Sequence, residues 1–248
     1  MRPSLADFAE SRIQTDPWKW PLKNFKTILS GLAADYGPRS VLEVGGGRRP
    51  LFTREEAEAL GLDYAVNDIS RSELDRAPEW VGKRNFDIGG EIDVDAGDRY
   101  DLIFSHFVME HVRHADVAYR NMYRMLNPGG VCINLHPTLF SPPYLVNLVI
   151  PEHWSARVLR QFHPRRHDDD IPKFPAYYRL CRSTDFVRRT IQGIGFQEVH
   201  IVPIYGHAYF RKIPILREVD DYITGVAKAR DYRPLSSDAL TVARKAGN

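Results

Sequence analysis

Apolar residues in this chain fall in short runs that alternate with stretches of helical periodicity. Phe25, Ile28, Leu29 and Leu32 recur at helix spacing, and Gly37-Pro38 ends the pattern. Apolar runs then predict strands over 40–44, 62–67, 100–104 and 131–135, with a weaker one over 85–88. Between them, 53–60 reads as a helix closed by Gly61. Residues 116–126 read as another, with Val117, Met122, Met125 and Leu126 as its apolar positions. Further on, helices are expected over 184–192 and 215–229, and strands over 196–203 and 239–244. This alternation predicts an α/β fold: a seven-stranded, mostly parallel sheet with helices on both faces.

One stretch breaks the pattern. Residues 137–175 carry prolines at 137, 142, 143, 151, 164, 172 and 175, a density that prevents a long helix or a central strand. A loop-rich segment of that length inside a compact domain is expected to cover a binding site. The chain thus reads as one domain over 1–248, with a helical lead-in over 1–37 and a substrate-covering insertion over 137–175, after the fifth strand.

Charge narrows the partners. The 34 basic and 32 acidic residues leave a net charge of +2, so no global field draws the chain to nucleic acid. Met1 to Arg12 has no apolar core of a secretory leader, and the longest apolar run, Tyr144 to Ile150, is too short to span a bilayer. The only cysteines, Cys132 and Cys181, fit no zinc spacing. A cytoplasmic location and no membrane span are the expectations.

The chemistry starts where the first strand runs into glycines, at Val41-Leu42-Glu43-Val44-Gly45-Gly46-Gly47. Glycine tolerates positive φ and lets a ligand approach the backbone. The carboxyl end of a first parallel strand is where doubly wound sheets bind nucleotides. A dinucleotide site wants a third glycine where Pro50 stands, and Glu43 would repel a pyrophosphate. Glu43 can instead accept hydrogen bonds through the loop or meet an amino group of a ligand. Asp68, ending the second strand, can accept both ribose hydroxyls.

Five pieces in order complete the pattern: Glu43-x-Gly45-x-Gly47; Asp68; Asp87; Tyr100 to Ser105 leading to Met109-Glu110-His111-Val112; and Leu126-Asn127-Pro128-Gly129-Gly130. Over roughly 38–136 this resembles a class I, Rossmann-like S-adenosylmethionine-dependent methyltransferase, with Arg49 where many members carry another glycine. The resemblance implies S-adenosylmethionine as cofactor and S-adenosylhomocysteine as product. Glu43, Gly45, Gly46 and Gly47 would hold the methionine part and Asp68 the ribose, with Ile69 beside it also at the cofactor. Asp87 with Ile88 would flank the adenine, and Ser105, His106 and Phe107 would pass beside the sulfonium.

His136 to Leu139, Phe162 to Arg166, Lys173 to Tyr178 and Tyr205 to Tyr209 resemble bacterial saccharide and polysaccharide O-methyltransferases, including the methylmannose polysaccharide 1-O-methyltransferase type. That implies a saccharide or polysaccharide-precursor hydroxyl as acceptor. Aromatic faces at Trp154, Phe162, Tyr177 and Tyr178 can pack on sugar C–H surfaces while arginines bind hydroxyls. Ser141-Pro142-Pro143-Tyr144 mimics a base-methylating signature but follows the fifth strand rather than the fourth, so it reads as a turn. A hydroxyl is a poor nucleophile, and a histidine base at a strand end would help. His111 is the first candidate and His136 the second, with Glu110 as a neighbour that tunes the local charge. His106 and His114 lie nearby.

His163, His167 and Asp168 to Asp170 read as a solvated polar loop, leaving a divalent-metal requirement open. The expected partners are a small-molecule or glycan acceptor and a second copy in a homodimer. The alternatives are a methyltransferase for a lipid, quinone or natural product, an NAD-dependent oxidoreductase, and a non-enzymatic S-adenosylmethionine sensor.

Overall fold

The computed structural model describes residues 22–94, 98–139, 174–207, 210 and 214–247. Helix α1 (Leu22–Tyr36) leads into β1 (Ser40–Val44), α2 (Arg54–Ala59), β2 (Asp63–Asp68), α3 (Arg71–Asp75) and β3 (Gly82–Asn85). Strand β4 (Tyr100–His106), a 3₁₀ turn (Met109–His111), α4 (Ala115–Met125) and β5 (Leu126–Pro137) follow. Beyond the insertion come α5 (Asp185–Gln192), β6 (Glu198–Ile204), α6 (Pro214–Ala229) and β7 (Asp238–Arg244).

The seven strands are ordered β3-β2-β1-β4-β5-β7-β6. All pairings are parallel except those of β7, which runs antiparallel to both β5 and β6. The chain leaves β1 toward β2 and β3, then crosses back to place β4 on the other side. That reversal opens a crevice at the carboxyl ends of β1 and β4, the ligand position in open α/β sheets.

Alternation along β1 divides the core. Val41 faces a layer with Phe25, Ile28, Leu29 and Leu32 of α1 and Phe104 of β4. Leu42 and Val44 face the other layer, with Tyr119 and Met122 of α4 and Val187 and Ile191 of α5. The α1 quartet is fully or almost fully buried. Each such side chain contributes ~1.5–3 kcal/mol relative to leaving it in water.

Local chemistry sets the ends. Thr53 caps α2 in a capping box with Glu56, and Gly61 leaves the helix at a φ of +66°. The predicted strand over 85–88 is displaced: β3 is Gly82–Asn85, a polar edge strand with alternating exposure. The short helix α3 was not anticipated. The Leu126–Gly130 run belongs to β5 itself, and the β4–β5 register shifts between Tyr100 and Leu102.

Most of the insertion, 140–173, lies outside the described residues, as does most of the lead-in. The Ser141–Tyr144 signature, Trp154, Phe162 and the His163–Asp170 cluster lie there too.

Candidate active site

At the end of β1 the backbone turns sharply. The amides of Gly45 and Gly46 both donate to the carbonyl oxygen of Asn67, at 2.8 and 3.1 Å. Gly45 sits at a φ of +74° and Gly47 at +47°. A Cβ on Gly45 would lie 2.4 Å from the Val108 side chain, and one on Gly47 2.8 Å from Asp68 Oδ2. At Gly46 it would meet the Glu43 carboxyl at 2.9 Å. The loop is therefore restricted to glycine by backbone shape and by the space its neighbours leave.

Glu43 takes the first of its two expected roles. It is buried, and Oε2 accepts from the Leu51 amide at 2.9 Å and from the Tyr64 hydroxyl. Burial pushes its carboxyl up to about 7. It closes the glycine loop from behind and is not in the wall of the cavity the loop borders.

That cavity is about 590 Å³, within the range of small-molecule sites. Gly45, Gly46 and Gly47 form one wall. Asp68 stands beside them, half-buried. Its Oδ1 accepts from the Ser70 amide at 2.8 Å, and burial raises its carboxyl. Asp87, whose Oδ1 accepts from the Gly89 amide at 2.8 Å, and Ile88 form the next wall with Phe86 and Val112. Ile69, more than half exposed, sits at the edge.

A second set of side chains holds these walls in place. Asn67 is buried, and its Nδ2 donates to the carbonyls of Arg84 and Phe86, both at 3.0 Å. Asn121 Nδ2 donates to the carbonyls of Ile88 and Gly90. Neither asparagine was singled out from the sequence; a buried amide among apolar neighbours is the only signal either offers.

The Ser105 to Phe107 stretch divides. Ser105 is fully buried and its Oγ donates to Asn134 Oδ1 at 2.7 Å, a contact inside the sheet. His106 stacks on Phe25 with ring centroids 5.4 Å apart, and burial pushes it down to about 4. Only Phe107 of the three reaches the cavity. Its φ of +55° is held by a hydrogen bond that its amide donates to the Leu135 carbonyl at 2.9 Å. Left-handed backbone outside glycine marks a position that its surroundings over-determine.

The candidate bases separate as clearly. His136 is fully buried in the β5–β7 ladder, with Nε2 3.1 Å from Thr241 Oγ1 and Nδ1 3.2 Å from the Pro137 carbonyl. Burial pushes it down to about 4. It is absent from the cavity wall, which corrects its expected place beside the acceptor.

His111 is in the wall. Its Nδ1 lies 3.1 Å from the Pro175 carbonyl. A carbonyl only accepts, so Nδ1 carries a proton, and in the neutral ring Nε2 is the nitrogen with the lone pair.

Glu110 lies behind the wall rather than in it. Its carboxyl is buried, Oε2 has no hydrogen-bond partner among the described residues, and Oε1 is 3.8 Å from His111 Nε2. Burial, assisted by the Asp238 carboxylate, pushes it up to about 8.

Sequence reasoning placed Tyr177 on the acceptor. Phe174, Pro175 and Tyr177 line the same cavity as the glycine loop, as do Arg48, Arg49 and Arg113. Arg48 pairs with Glu73 at 3.1 Å. Among the described residues no cluster of three or more His, Cys, Asp or Glu could hold a metal ion, and no helix is long and apolar enough to cross a membrane.

The strand order and the reversal at β1 make a Rossmann-like fold, one shared with solved methyltransferases. Residues 42–132 match a family model described as a methyltransferase domain. Over 128 residues the chain is 30% identical to a polyketide synthase–nonribosomal peptide synthetase of Aspergillus clavatus, covering 47% of this chain and 3% of that protein. It resembles the structure of Haemonchus contortus phosphoethanolamine N-methyltransferase 2 in complex with phosphomonomethylethanolamine and S-adenosylhomocysteine. That match has a TM-score of 0.53 and 13% identity, and covers 99% of this chain and 61% of that one. A second similar structure is the [4+2]-cyclase SpnF, with a TM-score of 0.53, 14% identity, and 89% and 81% coverage. The chain thus spans a small fraction of the Aspergillus clavatus protein and about three-fifths of the Haemonchus contortus one.

Proposed function

We propose that this protein transfers a methyl group from S-adenosylmethionine to a hydroxyl of a saccharide or polysaccharide precursor. The observation that carries the methyltransferase reading is a single cavity bordered by the glycine loop, Asp68, Asp87 and Ile88, with His111 in its wall.

The residues fit the cofactor. The glycines keep the loop backbone bare at the cavity wall, where a Cβ would collide with Val108, Glu43 or Asp68, suiting close approach of the cofactor's amino-acid end. Asp68 offers a carboxylate for ribose hydroxyls, while Phe86, Ile88 and Val112 make an apolar slot for a flat base. When bound, S-adenosylmethionine supplies an electrophilic methyl group on a sulfonium. His111 Nε2 accepts the proton that the acceptor hydroxyl gives up, a role its Nδ1 bond to Pro175 favours. Positioning supplies much of the remaining rate.

The saccharide class rests on the sequence resemblance after the fifth strand and on the aromatic and guanidinium groups of Phe174, Tyr177 and Arg113 at this cavity. A second reading, a polyketide or peptide natural product as acceptor, is favoured by the similarity to the Aspergillus clavatus synthase. SpnF, a [4+2]-cyclase, shares the fold, so turnover must be measured directly. The test is labelled-methyl transfer across a panel of saccharides, polyketide-like phenols and amines. Transfer to saccharides supports the proposal. Transfer only to another class replaces the acceptor, and S-adenosylhomocysteine binding without transfer to any acceptor makes the chain a sensor.

A further inference from the structure

Phe174 to Tyr178 form the returning end of the insertion, far from the glycine loop in sequence, yet Phe174, Pro175 and Tyr177 border its cavity. The segment is tied to the 3₁₀ turn by three hydrogen bonds. The amides of Tyr177 and Tyr178 both donate to the Glu110 carbonyl, at 2.7 and 3.1 Å, and His111 Nδ1 donates to the Pro175 carbonyl at 3.1 Å. The Arg113 guanidinium lies over the Tyr177 ring, 6.0 Å from its centroid. Beyond it, the Cys181 carbonyl accepts from the Leu139 amide at 3.1 Å, anchoring the far end to the exit of β5.

The backbone bends to reach these anchors. Tyr178 has a φ of +51° and Leu180 of +58°, and neither is glycine. Unfavourable left-handed residues persist where surrounding contacts over-determine them, and they cluster at ligand clamps and switch regions. The segment crosses the turn by a fixed path, and Arg113 and Tyr177, in contact with each other, both line the cavity.

We propose that Phe174 to Tyr178 form a strap that closes the cofactor cavity, with Tyr177 held on Arg113 as its clasp. This inference rests on the S-adenosylmethionine reading. The strap sets how long the cofactor and its product stay bound, and its Pro175 carbonyl fixes the His111 tautomer. Closure of the cavity and readiness of the base are therefore one event. The insertion governs cofactor residence through its returning end, in addition to selecting the acceptor.

The test is the rate of S-adenosylhomocysteine release from the full chain, measured by stopped-flow displacement. Tyr177 is partly exposed, so its replacement is compatible with folding, and a thermal melt checks this. Tyr177→Ala is expected to release the product ~10-fold faster, and Tyr177→Phe within ~2-fold of wild type, because the ring and not the hydroxyl meets Arg113. Arg113→Ala is expected to fall between them. Wild-type release rates in both Tyr177→Ala and Arg113→Ala would overturn the strap while leaving the cofactor reading intact. If the wild-type chain binds no S-adenosylhomocysteine, both readings fall.

Discussion

His111 Nδ1 lies 3.1 Å from the Pro175 carbonyl, so one imidazole nitrogen is committed to the backbone, and in the neutral ring the other is the one with the lone pair. His136, the other strand-end candidate, spends both nitrogens inside the sheet. The two histidines are therefore expected to fail differently when replaced.

His111→Ala should lower the single-turnover methyl-transfer rate by ~10²-fold or more and remove the acidic limb of the pH profile. Its S-adenosylhomocysteine affinity should change far less. His136→Ala should keep the acidic limb but lose stability by about 1–3 kcal/mol, through the cavity it leaves and the stranded Thr241 hydroxyl. Rate against pH for both variants, beside their thermal melts, distinguishes these outcomes. An unchanged acidic limb in His111→Ala would remove it as the base.

Buried carboxyls predict an unusual pH dependence of stability. Burial pushes Glu43 up to about 7, Asp238 up to about 7 and Glu110 up to about 8. A carboxyl whose folded value exceeds its unfolded one favours folding while it is neutral. That contribution is whole below the unfolded value of 4.5 for Glu110 and is lost as pH rises through about 8. Stability should therefore fall between pH 5 and 8. Glu110→Gln, which stays neutral, should flatten that decline and gain on the order of 1–4 kcal/mol at the alkaline end. Melting temperatures of both proteins across this range test it. Parallel slopes would mean that Glu110 does not titrate in the window.

The elements that were legible in advance are those whose burial pattern is local. Strand β1 and the glycine loop could be read because a buried apolar run meets residues that only a special backbone needs. The strand expected over 85–88 failed for a reason tied to the site. Phe86 and Ile88 are apolar because they line the cavity, while β3 is a polar edge ahead of them. Ser105 and His136 lie at strand ends that point toward the site, yet their side chains face into the sheet. Their environment depends on Asn134 and on the antiparallel register that sets His136 opposite Ala239. Neither partner follows from local periodicity. The tie between Tyr177 and Glu110 joins distant segments by backbone groups, which carry no residue signature at all.

The glycine loop sets the next expectation. Gly45→Ala places a Cβ 2.4 Å from Val108 at a φ of +74°. It should abolish measurable S-adenosylhomocysteine stabilisation and cost about 1–3 kcal/mol of stability from the backbone strain alone. Melting curves with and without ligand measure both effects. Val108→Ala in the same chain should recover part of the loss, because the clash is with that side chain. No recovery would assign the damage to the backbone.

Asn67 and Asp68 are sequence neighbours with separable jobs, and their variants provide the sharpest test of the site. Asp68 lines the cavity and is half-buried. Asp68→Ala removes a ligand acceptor and should weaken S-adenosylhomocysteine binding ~10-fold or more, with little change in the ligand-free melting temperature. Asn67 also borders the cavity, but its side chain knits β2 to the end of β3 through the Arg84 and Phe86 carbonyls. Asn67→Leu leaves those carbonyls without their donor in a buried place, at a cost of about 1–3 kcal/mol for each group left unsatisfied. It should lower the ligand-free melting temperature first and weaken binding as a consequence, because Phe86 and Ile88 lose their support. Calorimetric titration together with ligand-free melts separates the pair. If Asp68→Ala destabilises the free protein as much as Asn67→Leu does while binding S-adenosylhomocysteine normally, Asp68 is a scaffold residue and the ribose assignment is wrong.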